Sequence, residues 1–328
     1  MPALDTATWT AICAEARRAP SPHNTQPARW HCDGDVVELR EDPSRRLPAA
    51  DPTGRDHRMA LGAAWQGTRL ALGARGYTLV DVAPAYAPDA NGTFMRGVVD
   101  GGGARDPLVD VVGRRATWRG VFEPIDNVTL TKLRTAMAAL AARVSTDRMD
   151  IDDAAARIDP ASVHALRRAG YLEELVQWSR FSRDHPQAQR DGMNLDMLRL
   201  STTEGMLTRA LLRRDAFDTA ATLGMADMLV SESKQCASAS ALVAVTAPKD
   251  ELDFPAGQRL YRAWLAVASC GVHLCPMSVL SDDDATRAHF ERALGVPTDA
   301  RLVQLWRVGR APHGVPLSPR LPVAELML

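Results

Sequence analysis

The sequence predicts an α+β protein, and three observations support this expectation. Apolar residues recur at helical spacing in several segments, most clearly over 59–75 and 257–270. Short strand-like runs lie between such helices, among them 241–246 and 301–308. The sequence has no G-x-x-x-x-G-K-[ST] loop and no G-x-G-x-x-G between a strand and a helix. The commonest nucleotide-binding folds with parallel sheets are therefore disfavoured.

The first hundred residues contain helices and strands in a regular order. The predicted elements are a helix over 6–18, a hairpin turn at Gly34, a helix over 59–75 that ends at Gly76, and strands over 78–83 and 93–99. Thr6 or Thr8 is the expected cap of the first helix. Between this helix and the hairpin, three prolines and an asparagine over 19–27 predict a loop.

The rest of the chain is richer in helices. Helices are predicted over 128–143, most of 160–235, 257–270 and 282–294, and strands over 241–246, 272–275 and 301–308. Ser281 or one of the three aspartates that follow it is the expected cap of the last helix. The proline-rich tail after residue 310 is expected to run over the surface.

Two segments of the sequence are similar to each other. Residues 61–79 align without gaps to residues 256–274, an offset of 195 positions, and glycines match at 62 with 257 and at 76 with 271. Two ordinary amphipathic helices followed by glycines would explain the similarity. A duplicated half-fold would also explain it.

Composition and charge exclude several classes of protein. The 328 residues allow two domains or one large one, and the formal net charge of -1 disfavours a nucleic-acid or anionic-membrane protein. The five cysteines form no C-x-x-C pair, so reduced thiols in a cytoplasmic setting are expected. The first twenty residues lack the pattern of a signal peptide, and no run is long enough to span a membrane.

Metal and nucleophile motifs are missing from the sequence. The eight histidines form no H-x-x-x-H pair and no Cys/His pair at ligand spacing, so no metal site is expected. There is no G-x-S-x-G nucleophile elbow. What remains is polar loops and arginines.

The loop Pro20–Pro27 is dense in hydrogen-bonding side chains. Its prolines stiffen the backbone, so Ser21, Asn24 and Gln26 are presented in fixed directions. A side-chain amide both donates and accepts, which suits the edge of a planar heterocycle. A capped turn between helix and strand is the alternative.

The segment RRATWR carries two arginines four residues apart. On a helix start, Arg115 and Arg119 would share a face beside the positive end of the helix dipole, with Thr117 between them. This arrangement suits a phosphate. A solvated basic turn is equally compatible with the pattern, and Arg307 and Arg320 mean little when taken alone.

Taken together, these segments resemble the FMN-dependent nitroreductase superfamily, and most closely its Acg-type branch. The residues that carry the resemblance are APSPHNTQPARW (19–30), DPSRRLPAADPTGRD (42–56), LGAAWQGTRLALGARG (61–76), RRATWRGVF (114–122), AGYLEELVQW (169–178), AGQRLYRAWL with GVHLCPMSVL (256–280) and RLVQLWRVGR with PLSPRLPVAEL (301–326). The aromatic residue usual after Gln-Pro is replaced by Ala28, with Trp30 two positions later.

The resemblance implies a nitroreductase-like, three-layer α/β/α fold with central mixed, largely antiparallel sheets flanked by helices. It also implies internal duplication, a pseudo-dimer with halves at 1–104 and 105–328 and a helical lid over about 160–235. A monomer is favoured, with a homodimer as the alternative.

The resemblance implies FMN as the cofactor. The residues carried over as FMN contacts are Ser21, Asn24, Gln26, Arg115, Thr117, Arg119, Pro276, Met277, Ser278, Arg307 and Arg320. Arg115 and Thr117 would approach the phosphate and ribityl chain, and Arg119 the N1/O2 edge of the ring. The reciprocal motifs are missing from the first helix and from 141–160, so one FMN per chain is expected.

The implied activity is hydride transfer between flavin N5 and a small unsaturated or nitro-type substrate, with NAD(P)H as a candidate reductant. No acid or base in the sequence identifies the substrate, because the flavin supplies the chemistry. An FMN-sequestering protein with a closed lid is the alternative function, and a flavin-free protein is a third.

Overall fold

The chain folds around two four-stranded antiparallel sheets. The computed structural model describes residues 4–82, 88–226 and 230–328. The strands are β1 (Ala28–Asp33), β2 (Val36–Glu41), β3 (Tyr77–Asp81), β4 (Thr93–Gly101), β5 (Arg143–Ser145), β6 (Ser179–Arg180), β7 (Met193–Asn194), β8 (Ala241–Pro248), β9 (His273–Pro276) and β10 (Ala300–Gly309). The helices are α1 (Thr6–Ala16), α2 (Arg55–Gly73), α3 (Asn127–Ala138), α4 (Arg148–Arg167), α5 (Tyr171–Gln177), α6 (Leu195–Leu198), α7 (Thr202–Leu211), α8 (Arg214–Thr222), α9 (Ser233–Ala237), α10 (Asp253–Ser269), α11 (Ser278–Asp282) and α12 (Asp284–Ala293).

The two sheets have the same topology. The first has the strand order β1-β2-β4-β3 and the second the order β5-β8-β10-β9, so each places its first, second, fourth and third strands side by side. All strand pairs within both sheets are antiparallel. In each sheet one long helix, α2 or α10, precedes the third strand. The α+β prediction with largely antiparallel sheets flanked by helices is confirmed.

Helices α2 and α10 cross at two glycines. A Cβ atom on Gly62 would lie 2.0 Å from the carbonyl oxygen of Phe254, and one on Gly257 would lie 2.1 Å from that of Met59. The two glycines differ by 195 positions, and so do Met59 and Phe254. The contact is therefore reciprocal, as at a two-fold interface between identical subunits.

Three hydrophobic cores surround the sheets. The first lies between the first sheet and helices α1 and α2, and it also receives Tyr261 and Leu265 from α10. The second lies between α10, α3 and the second sheet. The third covers the opposite face of the second sheet with α4, α11 and α12. The α2–α10 pair thus lies between the two sheets.

Most predicted elements are confirmed within a few residues, but three regions differ. Helix α4 begins at Arg148 rather than near 160, because Asp147 caps it and its apolar face reaches the third core in spite of Pro160. Helix α3 ends at Ala138, since Ala141 has a φ of 55° and the chain then turns into β5. The region 160–235 also contains β6 and β7, which pair in parallel.

The tail after residue 310 was expected to run over the surface, and this prediction is wrong for two leucines. Leu321 and Leu326 are buried in the first core. The backbone N–H of Trp30 donates to the Leu326 carbonyl, and the N–H of Leu328 donates to the Trp30 carbonyl, both at 2.8 Å. The tail therefore extends the first sheet beyond β1.

Some details of the helix ends also differ. Helix α1 is capped by Asp5, whose carboxylate accepts from the Thr8 N–H, and not by Thr6 or Thr8. The last long helix is capped by Asp283, one of the three aspartates considered. Position 83 of the predicted strand lies outside the described residues.

All five cysteines are free thiols. Of the helices that the structure describes, none is both long and apolar enough to cross a bilayer.

Candidate functional site

The loop after α1 has a strained backbone. His23, Asn24 and Gln26 have φ angles of 47°, 58° and 55°, in the left-handed region that non-glycine residues rarely adopt. The Ser21 hydroxyl accepts the Gln26 N–H at 2.9 Å and closes the loop. Strain of this kind persists only where surrounding contacts fix it, and it concentrates at functional sites.

The amides of this loop are hydrogen-bonded to two other parts of the chain. Asn24 Nδ2 donates to the carbonyls of Gly192 and Pro319, both at 3.1 Å. Gln26 Nε2 donates to the Arg190 carbonyl at 2.9 Å. Gln26 Oε1 accepts the N–H of Leu321, also at 2.9 Å. The residues predicted to contact a ring are thus held by the 190–192 segment and by the tail.

The segment with Arg115 and Arg119 is extended, so the predicted helix start is wrong. A 3-10 helix over Pro107–Arg114 ends just before it, and Arg115 has extended φ and ψ angles. Thr117 forms a parallel bridge with Leu274, which draws the segment onto the edge of the second sheet. Arg115 and Trp118 are buried, and Thr117 and Arg119 are half-buried.

Arg115 is a buried cation with unused donors. Its guanidinium lies over the Trp264 ring at 4.8 Å, and Nη2 donates to the Arg18 carbonyl at 3.0 Å. Its Nε is buried without a hydrogen-bond partner. Burial lowers the pKa of this guanidinium.

Arg320 holds the loop and the end of α1 together. Its guanidinium donates to the carbonyls of Arg17, Arg18 and Ala19, to the Pro319 carbonyl and to Asn24 Oδ1. These five bonds use all five N–H groups of the side chain. Burial, and next the positive charge of Arg115, lower the pKa of Arg320.

Four arginines form a cluster without an acidic partner. We call Arg17, Arg18, Arg115 and Arg320 the guanidinium cluster. Within the described ranges, none of them forms an ion pair with a carboxylate, although most other arginines of the chain do. Only the carbonyls at the end of α1 and neutral groups compensate their charge. Such a cluster favours binding of an anion.

Two further groups at the cluster lack partners and were not found from the sequence. The Nε of Arg17 and the hydroxyl of Tyr261 are buried without hydrogen bonds. Tyr261 is fully buried and within electrostatic range of three cluster arginines, Arg115, Arg320 and Arg18. Tyr261 lies in the segment AGQRLYRAWL that carries the resemblance, but it is not among the residues carried over as FMN contacts.

Arg119 lies beside His23 and has weak partners. Its Nη1 is 3.3 Å from the Met197 carbonyl oxygen, and its Nη2 is 3.7 Å from the Met193 sulfur. Burial, followed by the Arg119 charge, lowers the pKa of His23 to about 4. His23 is therefore neutral at pH 7.

The remaining predicted residues form a second group at the end of β9. Arg307 pairs in register with Cys275, and its Nη1 donates to the carbonyls of Gly120 and Gln235. The Met277 sulfur is 3.4 Å from the Cys236 thiol, and the Ser278 hydroxyl accepts from Gln304 at 2.8 Å. Because Arg307 donates to the carbonyl of Gly120, this group adjoins the Arg119 end of the 115–119 segment.

A buried ion-pair network attaches the 178–192 region to the first half. Asp191 accepts from Arg180 at 2.7 Å and from Arg45 at 3.0 Å, and all three side chains are buried or nearly so. Arg45 also donates to the Thr25 carbonyl, next to the strained loop. The Glu174 carboxylate accepts the backbone N–H groups of 49 and 50. Sequence spacing gave no sign of this network.

The described residues contain no group of three or more potential ligands able to hold a metal ion.

Comparisons with known proteins give short matches to nitroreductases. No family model matches the chain. The NAD(P)H nitroreductase acg of Mycobacterium tuberculosis is 43% identical over 63 residues, which is 19% of this chain and 19% of that protein. The NAD(P)H nitroreductase Rv3131 of the same organism is 37% identical over 73 residues, 22% of this chain and 21% of that protein. The matched stretch thus spans about a fifth of each curated relative.

Solved structures with partial likeness include two nitroreductases. The FMN-dependent nitroreductase NfnB of Mycobacterium smegmatis, solved with NADPH, is 17% identical and has a TM-score of 0.39. The likeness covers 66% of this chain and 96% of that one. A nitroreductase of Bacteroides fragilis with bound FMN is 14% identical with a TM-score of 0.35, covering 65% of this chain and 92% of that one.

Proposed function

We propose that this chain is an FMN-dependent oxidoreductase of the nitroreductase type, acting on a small unsaturated or nitro-type substrate with NAD(P)H as the reductant. The observation that carries the proposal is the guanidinium cluster, whose charge no described carboxylate neutralises. A buried cation without a counterion is costly, and a bound phosphate removes that cost. The curated matches to NAD(P)H nitroreductases support the same conclusion.

The donors at the cluster fit the phosphate end of FMN. Arg115 and Arg17 each have a buried Nε without a partner, and Arg320 already uses its donors to fix Asn24 and the end of α1. In this proposal Arg115 and Arg17 bind the phosphate, while Arg320 is a positioning residue that adds charge. Charge-assisted hydrogen bonds of this kind contribute about 1.5–3 kcal/mol each.

The side chains along 115–119 continue from the cluster toward the strained loop. Thr117 lies between Arg115 and Arg119 in the sequence, and Arg119 retains N–H groups with only weak partners. In this proposal Arg119 orients the ring edge at N1/O2 by placing a fixed positive charge there. When bound, FMN supplies hydride chemistry at N5; the chain binds it, orients it and excludes water.

We infer that the chain consists of two related halves, at 1–104 and 105–328. We also infer that it holds one FMN site. The shared strand order and the reciprocal glycine crossing support two related halves. The loop with Asn24 and Gln26 precedes β1, whereas the segment before β5 is the short turn 139–142 without polar side chains. The second equivalent site is therefore incomplete, and a monomer holds the complete one.

A second candidate function is FMN sequestration beneath a lid formed by the 160–235 region. The bonds from Asn24 and Gln26 to 190–192, together with the buried Arg180–Asp191 pair, favour this candidate. Under it, the closed region limits access of substrate and reductant. The two functions predict the same cofactor and different turnover.

The flavin content of the purified protein tests the proposal. We expect flavin absorbance, and acid-released FMN equal to one per chain. We then add NADPH or NADH to the anaerobic holoprotein. Rapid loss of flavin absorbance supports the oxidoreductase, and persistence of the oxidised spectrum supports sequestration.

The Arg115→Ala variant tests the phosphate contact, and Arg310→Ala is its matched control. Its FMN affinity should fall about 10- to 150-fold, since a bond to a charged group is lost. Arg310→Ala removes an exposed arginine paired with Glu123 and should leave affinity unchanged. Protein that binds no FMN under any loading condition would overturn the proposal.

A further inference from the structure

The Tyr261 hydroxyl is a buried donor without an acceptor. Its side chain is fully buried on α10, inside the first core, and its oxygen has no hydrogen-bond partner. Buried hydroxyls without partners are rare and destabilising. This position therefore needs a reason other than packing.

The surroundings of this hydroxyl show which partner is missing. The charged groups in range of the Tyr261 side chain are the guanidinium groups of Arg115, Arg320 and Arg18. A guanidinium is a donor only and cannot accept the phenol proton. The nearby Arg18 carbonyl already accepts from both Arg115 and Arg320. The hydroxyl and the arginines thus require the same missing acceptor.

Arg115 connects the two sets of unused donors. It lies over the ring of Trp264, three residues after Tyr261 on the same helix. Its Nε is buried and unpartnered, as are the Arg17 Nε and the Tyr261 hydroxyl. Tyr261 and Arg115 thus lack acceptors side by side, and Arg17 joins them through Arg320, which is in electrostatic range of both Arg17 and Tyr261.

We propose that the Tyr261 hydroxyl donates a hydrogen bond to a bound phosphate monoester and, with Arg115 and Arg17, forms an oxyanion cradle. A phosphate group has several acceptor oxygens and can satisfy all three donors at once. If the proposed function holds, this phosphate is that of FMN, and Tyr261 is a binding residue beyond those carried over from the resemblance.

If the Tyr261 hydroxyl binds a phosphate, its removal should affect stability without ligand and FMN affinity in opposite ways. Tyr261→Phe removes a hydroxyl that has no partner in the free protein, so the unfolding temperature without ligand should be unchanged or higher. The same variant should bind FMN about 10- to 100-fold more weakly, because a bond to a charged group is lost. Riboflavin, which lacks the phosphate, should bind both proteins equally.

The experiment measures the dissociation constants of FMN, riboflavin and inorganic phosphate by fluorescence titration and calorimetry. Wild type, Tyr261→Phe, Arg17→Gln and the control Tyr77→Phe are compared. Tyr77 is on β3, outside the cluster, and its variant should match wild type throughout. Arg17→Gln should weaken FMN and phosphate binding and leave riboflavin binding unchanged.

The outcomes separate this inference from the proposed function. If wild type binds FMN and Tyr261→Phe binds it within twofold, the hydroxyl is not a ligand and the cradle is refuted while the function stands. If wild type binds phosphate through Tyr261 but binds no flavin, the cradle stands and the proposed function fails. If wild type binds neither FMN nor phosphate, both are refuted.

Discussion

Replacing Gly257 by alanine should destabilise the protein at the crossing of α2 and α10. The new Cβ would lie 2.1 Å from the Met59 carbonyl oxygen, about 1 Å closer than a carbon and an oxygen can approach. The obstructing atom belongs to the backbone, so the two helices must separate. Overpacking of this kind costs about 1–3 kcal/mol or more. The gain of about 1 kcal/mol for alanine in a helix offsets part of it.

We therefore expect a net loss of about 2 kcal/mol in the free energy of unfolding. For a chain of this size the unfolding temperature should fall by roughly 3 °C. Thermal and urea unfolding followed by circular dichroism measure both values. The control is Gly113→Ala, where a Cβ meets nothing within 4 Å, and its stability should stay within about 0.5 kcal/mol of wild type.

The reciprocal geometry adds a second test. Gly62→Ala should cost a similar amount, because its Cβ would lie 2.0 Å from the Phe254 carbonyl oxygen. Once one substitution has separated the helices, the second meets less resistance, and so the double variant should lose clearly less than the sum. Wild-type stability in either single variant, or strict additivity in the double variant, would refute the close crossing.

Other predictions concern the site and the assembly. Arg119→Ala should lower the two-electron flavin potential by about 30 mV for each 1.4 kcal/mol lost, measured with equilibrated dyes; an unchanged potential would remove Arg119 from the ring edge. The pKa of His23 is about 4 in the folded protein and 6.5 when unfolded, so the unfolded state binds its proton first as the pH falls. Between pH 6.5 and 4 the free energy of unfolding of wild type should therefore fall by up to about 1.4 kcal/mol per pH unit relative to His23→Gln. Parallel curves of stability against pH for the two proteins would contradict this. Asp191→Asn should lower the free energy of unfolding by about 3–5 kcal/mol, since the buried Arg180 loses its counterion while Arg45 keeps Asp42, and a smaller loss in urea unfolding would show that water reaches Arg180. Light scattering should report a monomer at micromolar concentration, and a dimer would count against the self-contained pseudo-dimer.

The fold was largely predictable because its elements carry local signals. The hairpin at Gly34 and the helices ended by Gly76 and Gly271 are set by residues a few positions apart, and all three glycines have positive φ angles. The internal similarity pointed to both helices, but their crossing is seen only in the structure. By contrast, β5 has three residues and is defined by its pairing with β8, a contact about a hundred positions away.

The site was predictable where a motif exists and unpredictable where tertiary contacts decide. The strained loop and Arg115 were named in advance, and the structure brings them together through Arg320. The helix start at Arg115 was wrong, because pairing of Thr117 with Leu274 overrides local preference. Asp191 gave no signal and Tyr261 was not singled out within its segment, since their importance depends on which distant groups surround them.

The bond from Arg320 to the Arg17 carbonyl joins residues 303 positions apart, and the bond from Arg115 to the Arg18 carbonyl joins residues 97 apart. Contacts of such long range form slowly, because a large loop must close before they bring any gain. We therefore expect the guanidinium cluster to assemble later than the local helices and hairpins. If the proposed function holds, an anion bound there stabilises the folded chain as a whole, by an amount that rises with the ligand concentration.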